Sequence, residues 1–148
     1  MIVVAQRCSS ASVSVDEAVV SKIDQGLLLL VGIEKSDGQL DIQKVVNKIS
    51  NLRIFEDENN KMNLSIMDVN GSLLVVSQFT LCGSVKKGRR PSFVNAETPE
   101  LSFILYENLI TSFKEVGIHT LGGSFGKMMN VELINKGPAT FIINSKEI

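Results

Sequence analysis

Hydroxyl, amide and ring side chains stand together in Ser77-Gln78-Phe79-Thr80-Leu81, directly after the apolar run Leu73-Leu74-Val75-Val76. Polar groups at the mouth of a core strand must be hydrogen-bonded or face a cleft. The segment therefore reads either as a strand end with capping hydroxyls or as one wall of a site. Asn135-Lys136-Gly137-Pro138-Ala139-Thr140 is a second polar segment, and its plainer reading is a hairpin turn. Lys86-Lys87-Gly88-Arg89-Arg90-Pro91 places four cations in five positions around a glycine. Such a run suits a solvated loop, and it also suits contact with phosphate.

Other constellations carry less. His119 is the sole histidine, which leaves no histidine metal cluster, and it reads as a satisfied residue at a strand end. Gly122-Gly123-Ser124-Phe125-Gly126 matches the nucleophile-elbow pattern, but no Asp and no His follow Ser124 as that architecture requires. The cluster reads as a tight loop. Glu56, Asp57 and Glu58 adjoin Asn59-Asn60-Lys61, which is turn chemistry, so these acids read as a solvated loop rather than a catalytic pair. No phosphate-cradling P-loop and no dinucleotide fingerprint is present.

These residues must be positioned by one ordinary domain of 148 residues, long enough for a hydrophobic core and too short for two. Apolar residues at 44% and charged residues at 21% place the chain among globular proteins. A net charge of -1 argues against a broad nucleic-acid-coating face while leaving room for a local basic patch. The first residues do not form a secretory signal, and Leu27–Val31 is far too short to span a bilayer. Cys8 and Cys82 make neither a disulfide framework nor a metal spacing, which suits a reducing, cytoplasmic compartment.

Residues 2–7 and 27–33 read as buried strands. Ser12–Val15 alternates, with Ala18–Ile23 as its hairpin partner across Asp16-Glu17. Between about Leu40 and Phe55, Ile42, Val45, Val46, Ile49 and Leu52 fall at helical spacing. A second helix is expected from Thr98 as cap and Pro99 at the first position to Gly117 as stop. Asn130–Ile134 and Ala139–Ile143 read as two strands joined through Asn135–Pro138. The expected class is α+β, mostly antiparallel strands with two helices on one side.

Ser77-Gln78-Phe79-Thr80-Leu81 together with Asn135-x-Gly137-Pro138-x-Thr140 resembles the two signature motifs of the D-aminoacyl-tRNA deacylase family, in the family's order and near its spacing. The resemblance extends to Gln6-Arg7, Arg53–Asp57, Lys61–Ser65, Lys87–Phe93, Leu105-Tyr106-Glu107 and Phe125-Gly126-x-x-Met129-x-Val131, over essentially the whole chain. Lys127, Lys136, Asn144 and Cys8 depart from residues common in the family, and Lys136 alters the charge beside the Gly-Pro pair. The resemblance implies a three-layer β/β/α domain over residues 1–148 acting as a homodimer. It also implies hydrolysis of the ester between a D-amino acid, with glycine as a further substrate, and the 3′-terminal adenosine of tRNA, without metal or cofactor.

The resemblance further assigns roles. Ser77, Gln78, Phe79 and Thr80 carry the reaction, with main-chain N–H groups around Phe79 and Thr80 facing the oxyanion and Thr80 orienting rather than attacking. Gly137 and Pro138, joined by a cis peptide and aimed by Arg7, exclude L-amino acids from the active site of the partner subunit. Met129, Asn135 and Thr140 contact substrate, and Lys86, Lys87 and Arg89 contact the tRNA. Two other readings compete: a non-catalytic RNA-binding module, which the scarcity of aromatic residues disfavours, and a small-molecule esterase, which the failed triad disfavours.

Overall fold

Strand β1 (Ile2–Val15) alternates buried and half-buried residues along most of its length, and the sheet is assembled on it. The computed structural model describes residues 1–148. After β1 come β2 (Ala18–Ile23), β3 (Gly26–Gly32) and helix α1 (Gln39–Asn51), then the short strands β4 (Phe55–Glu56) and β5 (Met62–Leu64). Strand β6 (Ser72–Ser77) runs into a 3-10 turn (Phe79–Cys82), followed by α2 (Pro99–Glu115), β7 (Thr120–Gly122) and β8 (Asn130–Asn144).

The first half of β1 pairs antiparallel with β3, and the second half pairs with β2. The β1–β2 hairpin turns where expected, with Asp16 and Glu17 both at positive φ (47° and 65°), the backbone that a tight two-residue hairpin of right-handed twist requires. Strands β3 and β6 run parallel, as do β6 and β7. Parallel neighbours need a crossover, and α1 and α2 make the two crossings.

Side-chain alternation in β3 and β6 sorts the core into two. Leu27, Leu29, Val31, Leu73 and Val75 meet Ile42, Val45 and Ile49 of α1 and Tyr106, Leu109 and Phe113 of α2. Leu28, Leu74 and Val76 face the other way, against Cys8, Ala11, Val13 and Ile23, with Val131 and Leu133 of β8 packed on them. Both faces of β3 and β6 are covered, which is why they read as unbroken apolar runs. The layers are therefore helices, then β3-β6-β7, then the folded-over second half of β1 with β2 and β8: the expected β/β/α arrangement with mostly antiparallel pairing.

Three local expectations are corrected. Helix α1 ends at Asn51, because Leu52 is already extended (φ -69°, ψ 118°) and turns the chain toward β4. Thr98 precedes α2, with Pro99 in the first turn, but its side chain makes no capping hydrogen bond. The last two strands are one continuous strand. Gln6 pairs with Thr140 and Cys8 with Asn135, so the four residues 136–139 stand opposite the single residue Arg7. They leave the ladder as a bulge and do not reverse the chain, because β1 is long enough to carry β8 on both sides of them.

Candidate functional site

The β3–β6 ladder ends at Val31 and Ser77, and the Gln78 N–H extends it once by donating to the Val31 carbonyl at 2.7 Å. The chain then tightens into the 3-10 turn. Leu81 N–H donates to the Gln78 carbonyl (3.1 Å) and Gly83 N–H to the Thr80 carbonyl (3.0 Å). The N–H groups of Phe79 and Thr80 open this turn, so no carbonyl within it can accept from them. Phe79 is 56% exposed and Thr80 is exposed, while Ser77 and Gln78 are half-buried. Gln78 Nε2 donates to Thr80 Oγ1 at 2.5 Å. An amide orients a hydroxyl but takes no proton from it, so the geometry suits an orienting Thr80.

His119 is exposed and stands just before β7, where its carbonyl accepts from Leu73 N–H (2.8 Å) at the opposite end of β6. It is a strand-end residue, as expected, and lies about 13 Å along the sheet from the turn. Gly32 explains how closely the turn seats on β3: an added Cβ would stand 2.9 Å from Leu81 Cβ and 3.0 Å from Cys82 Sγ. Burial, reinforced by Glu34 and Asp37, pushes the Cys82 thiol up to about 11. It stays protonated and offers no thiolate beside the turn.

The basic segment is a loop closed at its base. Ser84 and Ser92 exchange main-chain hydrogen bonds (2.8 and 2.9 Å), and Gly88 takes the positive φ of 73° at its tip. Lys86, Lys87, Arg89 and Arg90 are exposed and enter no ion pair. Phe93, just beyond the loop, packs edge-on against Phe79 with ring centroids 5.0 Å apart. The cations are thus moored beside the exposed turn. Phe93 received no role from the sequence, since its contact with Phe79 spans the whole loop.

Met129 also belongs to this end of β6. Its sulfur accepts from Ser124 N–H (3.3 Å), and it packs on the Leu74–Val76 cluster. Gly123 N–H donates to the Val75 carbonyl (2.8 Å), and the Tyr106 hydroxyl donates to that same carbonyl (2.8 Å). Tyr106, pushed up to about 12 by burial, is a neutral clip that ties α2 to β6. An added Cβ on Gly122 would stand 2.9 Å from its oxygen. The glycine cluster around Ser124 is thus the expected tight loop.

Arg7, Asn135, Gly137, Pro138 and Thr140 assemble elsewhere, at the β8 bulge. Asn135 Nδ2 donates to the Arg7 carbonyl (3.0 Å) and Gln6 Nε2 to Thr140 Oγ1 (3.3 Å), so the first and last residues of the Asn-x-Gly-Pro-x-Thr motif pin the two ends of the bulge to β1. Arg7 itself is 2% exposed and donates through Nε to the Lys136 carbonyl at 2.9 Å, so it touches the bulge from within the fold. The Gly137–Pro138 peptide is cis, and both residues are exposed. Glu56 corrects the solvated-loop reading, because its carboxylate pairs with Arg7 at 3.1 Å. Asp57 follows that reading: main-chain N–H groups of Lys61 and Asn59 hold its carboxyl below the usual range.

One chain does not bring the two groups together. Arg7 is level with Leu27, and Ser77 with Val31, four residues further along β3. Between the bulge and the turn lie the strand spacings β8–β1, β1–β3 and β3–β6. That is about 13 Å along and about 14 Å across, so roughly 20 Å measured over the sheet. Two surface concavities, of about 560 and 420 Å³, are lined by neither segment. No three His, Cys, Asp or Glu side chains converge to hold a metal ion, and no helix is long and apolar enough to cross a membrane.

The D-Tyr-tRNA(Tyr) deacylase family profile matches residues 4–144. A Flavobacterium psychrophilum protein named D-aminoacyl-tRNA deacylase is 53% identical over 147 residues, covering 99% of this chain and 98% of its own. A Clostridioides difficile protein of the same name is 51% identical over 144 residues, covering 97% of each chain. A solved structure described as "c-Myc DNA Unwinding Element Binding Protein" superposes with a TM-score of 0.92 at 37% identity, covering 97% of this chain and 98% of that one. Another, a probable eukaryotic D-amino acid tRNA deacylase, has a TM-score of 0.82 at 18% identity, covers 96% of this chain and 98% of that one, and shares the fold.

Proposed function

The chain belongs to the D-Tyr-tRNA(Tyr) deacylase family, and from that premise we propose that it hydrolyses the ester joining a D-amino acid or glycine to the 3′-terminal adenosine of tRNA. The observation that carries this reading is the exposed turn at Phe79–Thr80, two uncommitted N–H donors moored through Phe79 and Phe93 to a loop of free cations. An aminoacyl ester is already activated, so positioning and oxyanion stabilisation supply much of the acceleration. Water adds to the ester carbonyl, and the oxygen that gains charge accepts from the N–H groups of Phe79 and Thr80. The carbon–oxygen bond to the ribose then breaks, and the departing ribose oxygen takes a proton, with the neighbouring ribose hydroxyl assisting. Ser77 and Gln78 shape the adenosine pocket, and Met129 supports it from the adjoining loop. The enzyme acts in the cytoplasm on the acceptor end of aminoacyl-tRNA and needs neither metal nor cofactor.

Hand is selected between subunits. In this proposal residues 1–148 form one domain that works as a homodimer, and the Gly137–Pro138 bulge of one chain closes the active site of the other against an L side chain, with Asn135 and Thr140 holding its ends. The roughly 20 Å separation within a chain and the exposure of the bulge support a two-chain site.

Release of D-tyrosine from charged tRNA by the purified protein tests the function. Turnover of D-tyrosyl-tRNA with L-tyrosyl-tRNA spared is expected. Binding without turnover would favour an RNA-binding module, and hydrolysis of free esters but not of charged tRNA would favour an esterase.

Thr80→Ala is expected to reduce kcat by about ten-fold and Thr80→Ser by less, because Gln78 orients the hydroxyl but cannot deprotonate it. Loss of all turnover in Thr80→Ala, with Thr80→Ser and tRNA affinity intact, would instead make the hydroxyl a nucleophile. Alanine at Lys86, Lys87 and Arg89 together is expected to weaken tRNA binding and flatten the slope of log affinity against log salt by about two, with turnover of bound substrate nearly preserved. An unchanged slope would make the loop a merely solvated one.

A further inference from the structure

The guanidinium of Arg7 is buried, yet two of its three partners are neutral carbonyls: Ile54 at 2.7 Å from NH1 and Lys136 at 2.9 Å from Nε. Its charge is answered by Glu56 Oε1, 3.1 Å from NH2. Three separate elements therefore meet on one planar group: β1 through Arg7, β4 through Glu56 and the β8 bulge through Lys136. A buried cation held by carbonyls alone keeps no compensating charge and relieves that cost by swinging toward water. The ion-paired, directional contact to Glu56 holds the guanidinium plane so that Nε points at the Lys136 carbonyl. Lys136 immediately precedes Gly137, so the position of its carbonyl sets where Gly137 begins. The Lys136 ammonium is 3.9 Å from the other Glu56 oxygen and 58% exposed, which makes its own pairing weak. Glu56 therefore acts chiefly through Arg7.

We propose that Glu56 is a positioning residue for the choice between D- and L-substrates: acting through Arg7, it sets the aim of the Gly137–Pro138 bulge. The proposal rests on the assignment of chiral selection to that bulge. Glu56 reaches the bulge through Arg7 and supplies no donor to the reacting ester, so the chemical step on a D-substrate does not depend on it. A loosened bulge instead admits the side chain of the opposite hand, and the L-rate rises.

The test compares kcat/KM for D-tyrosyl-tRNA and L-tyrosyl-tRNA, alongside melting temperature, in Glu56→Ala, Glu56→Gln and the neighbouring control Glu58→Gln. Glu56→Ala is expected to lower the D-to-L ratio by roughly ten-fold or more through a higher L-rate, with the D-rate nearly unchanged. Glu56→Gln keeps an acceptor oxygen without its charge and falls between Glu56→Ala and the wild type, and Glu58→Gln matches the wild type. An unchanged ratio in Glu56→Gln and Glu56→Ala overturns the inference. So does a parallel fall of both rates with the melting temperature, which would mark a purely structural role. If the alanine variant fails to fold, the ratio in Glu56→Gln decides. A wild-type protein that hydrolyses both hands equally would instead overturn the role of Gly137–Pro138.

Discussion

Gly137→Ala is expected to lower activity toward every aminoacyl-tRNA by about a hundred-fold while leaving the melting temperature essentially unchanged. Within its own chain the added methyl meets only Asn135 Oδ1, at 3.2 Å, and Gly137 does not take a positive φ. The fold therefore has little reason to resist the substitution. If the bulge enters the partner's active site, the same methyl occupies space that substrate needs, whatever its side chain. Stability and activity should separate, which a defect in folding would not do. Mixing two inactive chains sharpens the result. Thr80→Pro removes one of the two turn donors at a position in the first turn, where proline is tolerated. When Gly137→Ala and Thr80→Pro chains exchange freely, half the dimers are mixed, and each mixed dimer holds one site with both elements intact. About a quarter of wild-type turnover should return. If the bulge and the turn of one chain served the same site, mixing would restore nothing.

Gly26→Ala is expected to cost about 4 kcal/mol or more, a large share of the roughly 5–15 kcal/mol that holds a domain of this size together. An added Cβ at Gly26 would overlap the Ser72 carbonyl oxygen and stand 2.7 Å from the Ser72 carbonyl carbon and 2.8 Å from the Ser72 main-chain nitrogen. All three atoms are main chain, so no side chain can rotate away. Gly26 and Ser72 open the parallel β3–β6 ladder, and both strands are buried on both faces, so β6 cannot shift without disturbing both halves of the core. Gly38→Ala is the natural control, since a Cβ there meets nothing within 4 Å. Thermal melting of the two variants checks the contrast. A Gly26→Ala protein that melts with the wild type would mean that the ladder opens there at little cost.

Period and turn chemistry were enough for the elements whose reasons are local. The apolar stripe of Ile42, Val45, Val46 and Ile49 made α1 legible, and Pro99 with Gly117 bracketed α2. Asp16-Glu17, between the alternating Ser12–Val15 and its partner Ala18–Ile23, announced the β1–β2 hairpin. The two polar segments were legible as sites through their resemblance to family motifs. From the residues alone, a capped strand end and a hairpin were the plainer readings.

The bulge in β8 was not legible, because Asn-x-Gly-Pro offers the same local chemistry to a hairpin and to an excursion from one strand. Whether the chain reverses depends on β1 continuing past it, a fact about residues more than a hundred positions away. Glu56 was hidden for the same reason. Its neighbours are turn formers, and its partner Arg7 lies 49 residues upstream. The mooring of Phe79 by Phe93, the need for glycine at position 26 and the parallel order of β3, β6 and β7 are likewise contacts between distant segments. Residue type and spacing thus determined the two helices, the long apolar strands and the β1–β2 turn, and which polar groups stood at the end of a core strand, because those follow from hydrogen bonding and burial within a few residues. Tertiary structure alone decided which of those polar groups meet. The register of β1 against β3 and β8 sets the distance between the turn and the bulge, and that register is chosen by packing of the whole core.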